Sequence, residues 1–128
     1  MRLSLSLAAL TLVLAACAAP ADGTADPSPA PASEALAVTV SDFMIDPSDL
    51  EVTGSGVTID VTNDGPTPHN LSVRTADGEV LMATADLGRD EEEKITADLE
   101  PGEYTLFCSL AGHESLGMSG TLTVSEAP

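Results

Sequence analysis

Three residues near the C-terminus carry side chains that bind soft metal ions. Cys108, His113 and Met118 follow one another at intervals of five residues. Thiolate and thioether sulfurs are soft ligands, and imidazole binds several transition metals. The only other cysteine is Cys17, so Cys108 has no evident disulfide partner in its part of the chain. This spacing suggests a metal site on one short loop.

A fourth candidate ligand lies earlier in the chain. His69 and His113 are the only two histidines. Two imidazoles and one thiolate in a trigonal plane, with a weak axial methionine, form the blue-copper arrangement. The sulfur ligands stabilise Cu(I), and the imidazoles accept both oxidation states. The residues therefore favour one copper ion held by His69, Cys108, His113 and Met118.

The same four residues are compatible with different roles. Each side chain alone could be an ordinary core residue, since free cysteine and methionine often fill cores. Zinc suits the imidazoles and the thiolate, although structural zinc normally takes four strong ligands. A binuclear copper site would need a second cysteine in the loop. A Cys–His nucleophile is conceivable, but so small a sandwich offers no evident substrate cleft, so we do not expect an enzyme.

The elements that must position these ligands are short strands. Apolar and polar residues alternate in short runs separated by glycine-containing turns such as G-S-G, N-D-G and P-G. This pattern predicts an antiparallel β-sandwich. We expect residues 37–128 to form an all-β Greek-key sandwich or barrel of about seven or eight strands. The region 79–92 is expected to be a loop or one short helical turn.

The alternation also predicts where two of the ligands point. His69 shares a strand face with Leu71 and Val73, and Cys108 shares one with Leu106, because side chains two residues apart lie on the same side. The aliphatic residues identify both faces as inward. If the two strands are neighbours, the imidazole and the thiol meet at one end of the sandwich, where the loop after Cys108 can return His113.

One segment supports this topology. The sequence L-E-P-G-E-Y, which ends at Tyr104, resembles the tyrosine corner of Greek-key sandwiches. In that motif the phenol donates a hydrogen bond to upstream backbone. We therefore expect Tyr104 to be structural rather than redox-active.

Charge limits the choice of partners. The chain has 4 Lys and Arg against 21 Asp and Glu, a formal net charge of −17. Such a surface repels nucleic acids and anionic membranes. It should attract a basic protein, although the acids could equally serve solubility alone.

The N-terminus resembles an export signal. Residues 1–16 contain Arg2 and then an apolar run too short for a comfortable membrane span. The run ends in L-A-A-C, which resembles the lipobox of bacterial lipoproteins and implies lipidation of Cys17. An ordinary signal peptide with an incidental cysteine is the alternative. Residues 17–36 are rich in Pro and Ala and predict an extended tether. We expect an exported domain that contacts the membrane only through its lipid, on the outer face of the cell membrane or in the periplasm.

From about residue 37 to residue 124 the chain resembles the small cupredoxins, the group of plastocyanin, azurin and amicyanin. The matching stretches are D-F-M-I-D-P from Asp42, P-H-N-L around His69, Y-T-L-F-C ending at Cys108, G-H at His113 and G-M-S-G around Met118. The resemblance implies an electron carrier with one type 1 copper ion on His69, Cys108, His113 and Met118. It also implies that Asn70 bridges to Ser109 beside the thiolate, unless Asn70 bonds its own backbone. A copper protein that scavenges, buffers or delivers the metal is the main alternative function.

Surface residues near the ligands suggest a docking face. We expect His113 to be the exposed edge of the site, with Leu110 and Leu116 in an apolar patch around it. By resemblance to plastocyanins, Phe107 would be an exposed aromatic residue beside acidic ones. The candidate acids are Asp90, Glu91, Glu92 and Glu93, although solvation alone explains them equally well. We expect a monomer that meets a basic redox partner.

Overall fold

The computed structural model describes residues 35–128, and nine β-strands and one 3₁₀ turn lie within this range. The strands are β1 (Leu36–Ser41), β2 (Met44–Asp46), β3 (Asp49–Thr53), β4 (Gly56–Asn63), β5 (Ser72–Arg74), β6 (Val80–Ala83), β7 (Glu92–Asp98), β8 (Gly102–Phe107) and β9 (Ser119–Ser125), and the 3₁₀ turn is Glu114–Leu116. The predicted signal peptide of residues 1–16, the lipidation site Cys17 and nearly all of the tether lie outside the described residues. In the described range, no helix has the length and apolar character needed to cross a bilayer.

The strands form two sheets. One has the order β2-β1-β4-β7 and the other the order β3-β9-β8-β5-β6. The all-β sandwich expected from the alternation is confirmed. The expectation of a purely antiparallel sandwich is wrong in two places, because β1 pairs with β4 and β3 pairs with β9 in parallel. Sequence alternation gives the inward face of a strand but carries no information on the direction of its neighbour.

The core lies between the two sheets and consists almost entirely of aliphatic residues. Val57, Ile59 and Val61 alternate along β4 and are completely buried. Their β-branched side chains suit a pleated, half-buried surface. The other fully buried aliphatic residues of the core include Val40, Leu71, Val73, Leu106 and Leu122. The inward faces predicted from Leu71, Val73 and Leu106 are therefore confirmed.

The region 79–92 differs from its prediction. It contains β6, which pairs with β5 at the edge of the five-stranded sheet. Val80 and Leu81 are both exposed and only Met82 is buried, so the segment lacks the alternation by which strands were recognised. Two methionines outside the candidate ligands differ in burial. Met82 packs in the core, whereas Met44 is 55% exposed at the start of β2.

The tyrosine corner is present. The hydroxyl of Tyr104 donates a hydrogen bond to the carbonyl of Glu100 at 2.7 Å. This bond fixes the turn that leads into β8. Strand β8 pairs with β5, with Ser72 opposite Phe107. Because His69 precedes β5 and Cys108 follows β8, this register brings both residues to the same end of the sandwich.

Candidate metal centre

Three candidate ligands converge at that end of the sandwich. One side-chain ligand atom from each of His69, Cys108 and His113 lies within 4.8 Å of the others. The Nδ1 atoms of the two histidines are 3.2 Å apart, and the Sγ of Cys108 is 3.6 Å from the Nδ1 of His113. His69 and Cys108 are buried, and His113 is half-buried. No other group of this kind occurs within residues 35–128.

These distances fit a metal centre. Bonds from a metal to imidazole nitrogen and thiolate sulfur are about 2.0–2.3 Å, so three ligands in one plane around an ion lie roughly 3.5–4 Å apart. The Sγ–Nδ1 distance of 3.6 Å lies within this range, and the Nδ1–Nδ1 distance of 3.2 Å lies slightly below it. Two imidazole nitrogens this close need a shared proton or cation between them. The residues therefore could hold one copper ion, with the soft thiolate and borderline imidazoles that copper accepts.

The loop after β4 fixes the backbone of His69. His69 and Leu87 exchange backbone hydrogen bonds of 3.1 and 2.7 Å. The amide of Asn63, which is completely buried, donates to the carbonyls of Thr67 and Leu87 and accepts from the backbone of Gly65. Sequence reasoning missed Asn63. A polar residue at the inward-facing end of an otherwise aliphatic strand was the signal that could have found it.

The loop of residues 108–118, which follows β8 and is called the ligand loop below, is held by its own backbone hydrogen bonds. The backbone of His113 donates to the carbonyl of Leu110 at 3.1 Å, and that of Met118 donates to the carbonyl of His113 at 3.2 Å. Gly112 and Gly117 have φ values of 84° and 104°, a region that favours glycine. Met118 is completely buried. Its role as the axial ligand stays a prediction.

The contact expected between the two ligand loops is present. The Oδ1 of Asn70 accepts a hydrogen bond from the backbone of Ser109 at 2.8 Å, and its Nδ2 donates to the Oγ of Ser109 at 2.9 Å. Nδ2 also donates to a carboxylate oxygen of Asp86 at 2.7 Å, a partner that the sequence did not suggest. Asn70 is buried, so it forms a fixed link between the residues that follow His69 and Cys108.

The turn between β1 and β2 covers both histidines. An Asp42 carboxylate oxygen lies 3.1 Å from the Nε2 of His69 and accepts a hydrogen bond from the hydroxyl of Thr67 at 2.7 Å. The ring of Phe43 meets the ring of His113 edge-on at 5.3 Å. The hydrogen bond from Thr67, and then the one from His69, lower the pKa of the Asp42 carboxyl. Both residues stood in the D-F-M-I-D-P stretch, but sequence reasoning gave them no role at the site.

Phe107 is not the exposed aromatic residue that was expected. It is 7% exposed, and the guanidinium of Arg74 lies 4.3 Å from its ring centre. Arg74 also donates two hydrogen bonds, of 3.0 and 2.5 Å, to the carboxylate of Glu114. These bonds raise the pKa of Arg74 above its ordinary value. The stacked cation of Arg74 therefore covers Phe107.

The other predicted surface residues have mixed positions. Leu116 is 61% exposed, whereas Leu110 is half-buried against the core. Among the acids, Asp90, Glu91 and Glu92 are exposed and Glu93 is half-buried. Two of them hold backbone, because a carboxylate oxygen of Glu91 accepts from Gly88 at 2.6 Å and one of Glu93 accepts from Ala85 at 2.8 Å. That pair is therefore more than solvated surface.

Proteins with a similar sequence pattern or a similar fold are known. The sequence model of the family described as Cupredoxin-like domain matches residues 6–124. Reduced auracyanin from the photosynthetic bacterium Roseiflexus castenholzii is similar in structure, with 24% identity, a TM-score of 0.65 and coverage of 73% of this chain and 98% of that one. Auracyanin B is similar at 22% identity and a TM-score of 0.65, covering 71% of this chain and 88% of its own. A purple cupredoxin from Nitrosopumilus maritimus is similar at 23% identity and a TM-score of 0.56, covering 70% and 99%.

At these identities the structural likeness shows a shared fold. No curated protein matches the sequence. The family match, in contrast, spans nearly the whole chain and includes all four predicted ligands. The chain therefore belongs to the family of cupredoxin-like domains.

Proposed function

We propose that this protein is an extracytoplasmic electron carrier with one type 1 copper ion. His69, Cys108 and His113 would hold the ion, with Met118 as a weak axial ligand. The observation that carries the proposal is the convergence of two imidazole nitrogens and one thiol sulfur within 4.8 Å. The shared fold with the auracyanins and the purple cupredoxin is compatible with such a centre but does not carry the proposal.

The protein contributes a site whose ligands are already in place. Bound copper supplies a one-electron couple between Cu(II) and Cu(I). His69 is fixed by its backbone bonds to Leu87, and the segment after Cys108 is fixed by the link between Asn70 and Ser109. Ligands held in this way move little when an electron arrives, which keeps the reorganisation small. That property suits electron transfer better than substrate chemistry.

The electron would pass through the surface around His113. Of the two imidazoles, only this one reaches the surface, because His69 is completely buried. Phe43 is 43% exposed beside it, and Leu116 is 61% exposed three residues later. Such an apolar patch lets a partner approach closely. The net charge of −17 favours a basic redox partner.

Export and lipidation complete the proposal. The lipobox-like sequence before Cys17 supports cleavage after residue 16 and attachment of lipid to Cys17. At about 3.1 Å per residue, the tether of residues 17–36 could reach roughly 60 Å when extended. A domain on such a tether could meet a partner embedded in the same membrane. Palmitate labelling of the full chain in a bacterial host, compared with Cys17→Ala, tests this part.

An absorption spectrum tests the copper centre. Cu(II) added to the purified domain should give intense absorption towards the red end of the visible, because thiolate-to-copper charge transfer absorbs there. The Cys108→Ala variant should bind copper more weakly and lack this band. Wild-type protein that binds Cu(II) without the band would contradict a type 1 centre.

Kinetics distinguish electron transfer from copper handling. An electron carrier should exchange electrons with a cytochrome in stopped-flow experiments and keep copper in both oxidation states. A protein that delivers copper should instead release Cu(I) to an acceptor protein at a comparable rate. Slow electron exchange combined with rapid copper loss would overturn the carrier proposal in favour of copper delivery.

A further inference from the structure

The nitrogen of His69 that faces away from the group has a charged partner. An Asp42 carboxylate oxygen lies 3.1 Å from the Nε2 of His69, and the Oγ1 of Thr67 also lies 3.1 Å from this nitrogen. An ionised carboxylate can only accept hydrogen bonds. The Nε2 atom of His69 must therefore carry the hydrogen and donate it. In neutral histidine this leaves the lone pair on Nδ1, the atom that faces His113 and belongs to the metal-binding group.

Three separate features hold the Asp42 carboxylate in position. The hydroxyl of Thr67 donates to the same carboxylate oxygen at 2.7 Å. Phe43, the next residue, has a φ of 60°, which is unusual for a bulky side chain and orients the tight turn. A Cβ atom on Gly65 would lie 3.1 Å from the backbone nitrogen and Oδ1 of Asp42, so glycine leaves the space that the turn occupies. Strained backbone of this kind is often found at functional sites.

Burial shows which member of the pair depends on the other. The side chain of Asp42 is 43% exposed, whereas that of His69 is completely buried. Asp42 could be solvated by water without this contact, but the Nε2–H of His69 needs an acceptor inside the protein. Thr67 alone would give a neutral acceptor in place of a charge.

We propose that Asp42 is a positioning residue that fixes His69 with its hydrogen on Nε2 and its Nδ1 lone pair towards the metal. Resting on the copper centre proposed above, the carboxylate also favours Cu(II) over Cu(I). A carboxylate that accepts from a metal-bound imidazole makes the imidazole a stronger donor. A fixed negative charge near the ion stabilises the more highly charged oxidation state.

The first experiment needs no copper. In ¹⁵N NMR spectra of the copper-free wild-type protein at mildly alkaline pH, His69 should show a protonated, slowly exchanging Nε2 and an unprotonated Nδ1. In Asp42→Ala the Nε2–H signal should exchange faster or be replaced by a mixture of tautomers. A wild-type His69 protonated on Nδ1, or identical spectra for both proteins, would overturn the positioning role whether or not the domain binds copper.

The second experiment measures the copper couple. Asp42→Asn keeps the shape of the side chain and removes its charge. We expect the ratio of Cu(II) to Cu(I) binding constants to fall about tenfold, which is a rise of about 59 mV in the potential. Asp64→Asn is the matched control, because Asp64 is exposed in the same loop as Thr67 and makes no hydrogen bond to His69.

Its outcomes separate the two proposals. An unchanged potential in Asp42→Asn, or an equal change in Asp64→Asn, would overturn the electrostatic role of Asp42. A wild-type protein that forms no red-absorbing Cu(II) complex would overturn the proposed function, while the NMR result would still decide the positioning role.

Discussion

The backbone of Cys108 donates a hydrogen bond to the carbonyl of Met118 at 3.2 Å, although the two residues are ten positions apart. The two ends of the ligand loop therefore meet. Met118 immediately precedes β9, and β9 pairs with β8. This closure explains how a loop of this length returns His113 to Cys108. The loop therefore continues the antiparallel pair of β8 and β9 and is closed at its base by a backbone hydrogen bond.

Replacement of Met118 by leucine should change the copper couple and leave the fold intact. Leucine has a similar volume, so the buried site should stay filled. Loss of the axial thioether should raise the reduction potential, since the axial ligand tunes potential in such sites. A tenfold change in relative affinity for the two oxidation states corresponds to about 59 mV. Potentiometry measures the shift, with Met82→Leu as a control in the core. Equal potentials for the two variants would exclude Met118 as a ligand.

Asn70→Ala should cost more stability than Ser109→Ala. Asn70 is buried and makes hydrogen bonds to Ser109 and Asp86, and its loss would leave the backbone N–H of Ser109 without its acceptor. Each hydrogen bond contributes about 0.5–1.5 kcal/mol net, so the loss of the bonds to Asp86 and to the backbone of Ser109 together should cost about 1–3 kcal/mol. Ser109→Ala removes only the hydroxyl and keeps the backbone bond. Urea denaturation of the copper-free proteins gives both values. Equal losses would mean that the backbone bond contributes little.

Arg74→Ala should loosen the ligand loop. The guanidinium stacks on Phe107 and binds both carboxylate oxygens of Glu114, the residue after His113. Since both charged side chains are partly exposed, we expect a loss of about 1 kcal/mol or less in unfolding free energy. Faster amide exchange at residues 113–117 is the more specific result. Arg89→Ala is the control, because Arg89 has only an exposed ion pair with Asp90 at 3.7 Å. Equal amide exchange in both variants would argue against a role of Arg74 in holding residues 113–117.

Much of this architecture could be predicted from the sequence because alternation reports burial directly. The alternation around Leu71 and Leu106 gave the correct inward faces, and these faces predicted that His69 and Cys108 meet. Strand β6 was missed because Val80 and Leu81 are both exposed on an edge strand. Alternation cannot reveal a strand that is held mainly by backbone hydrogen bonds.

The contacts around the ligands were harder to predict. Asp42 and Phe43 reach the histidines only because the turn from β1 to β2 folds over them, and this placement depends on the tertiary structure. The burial of Phe107 similarly depends on Arg74, which is remote in sequence. Alternation places the side chains of Phe107 and Cys108 on opposite faces of the sheet. It cannot show which side chain covers the face that carries Phe107.

Gly120→Ala should destabilise the domain strongly. A Cβ atom on Gly120 would lie 2.1 Å from the carbonyl oxygen of Ser48, a backbone atom that cannot move aside cheaply because it accepts from Thr121 at 2.7 Å. We expect a loss of about 1–3 kcal/mol from this overpacking. At Gly88 an added Cβ would meet mainly the flexible carboxylate of Glu91, so Gly88→Ala should cost about 0.5 kcal/mol or less. Thermal unfolding compares the two variants, and similar midpoints would contradict the close approach.

Neutralising the exposed acids around the start of β7 should slow association with a basic redox partner. Asp90→Asn with Glu92→Gln is the informative combination, because Glu91 and Glu93 accept backbone hydrogen bonds and their loss would disturb the loop. Asparagine tolerates the φ of 62° at position 90. If these charges guide docking, the association rate with a basic cytochrome should fall at low salt, and the difference should shrink as ionic strength screens it. Asp98→Asn with Glu100→Gln, at the other end of β7, removes the same net charge and controls for the overall field. Equal rates for the two double variants at low salt would assign residues 90 and 92 to solvation alone.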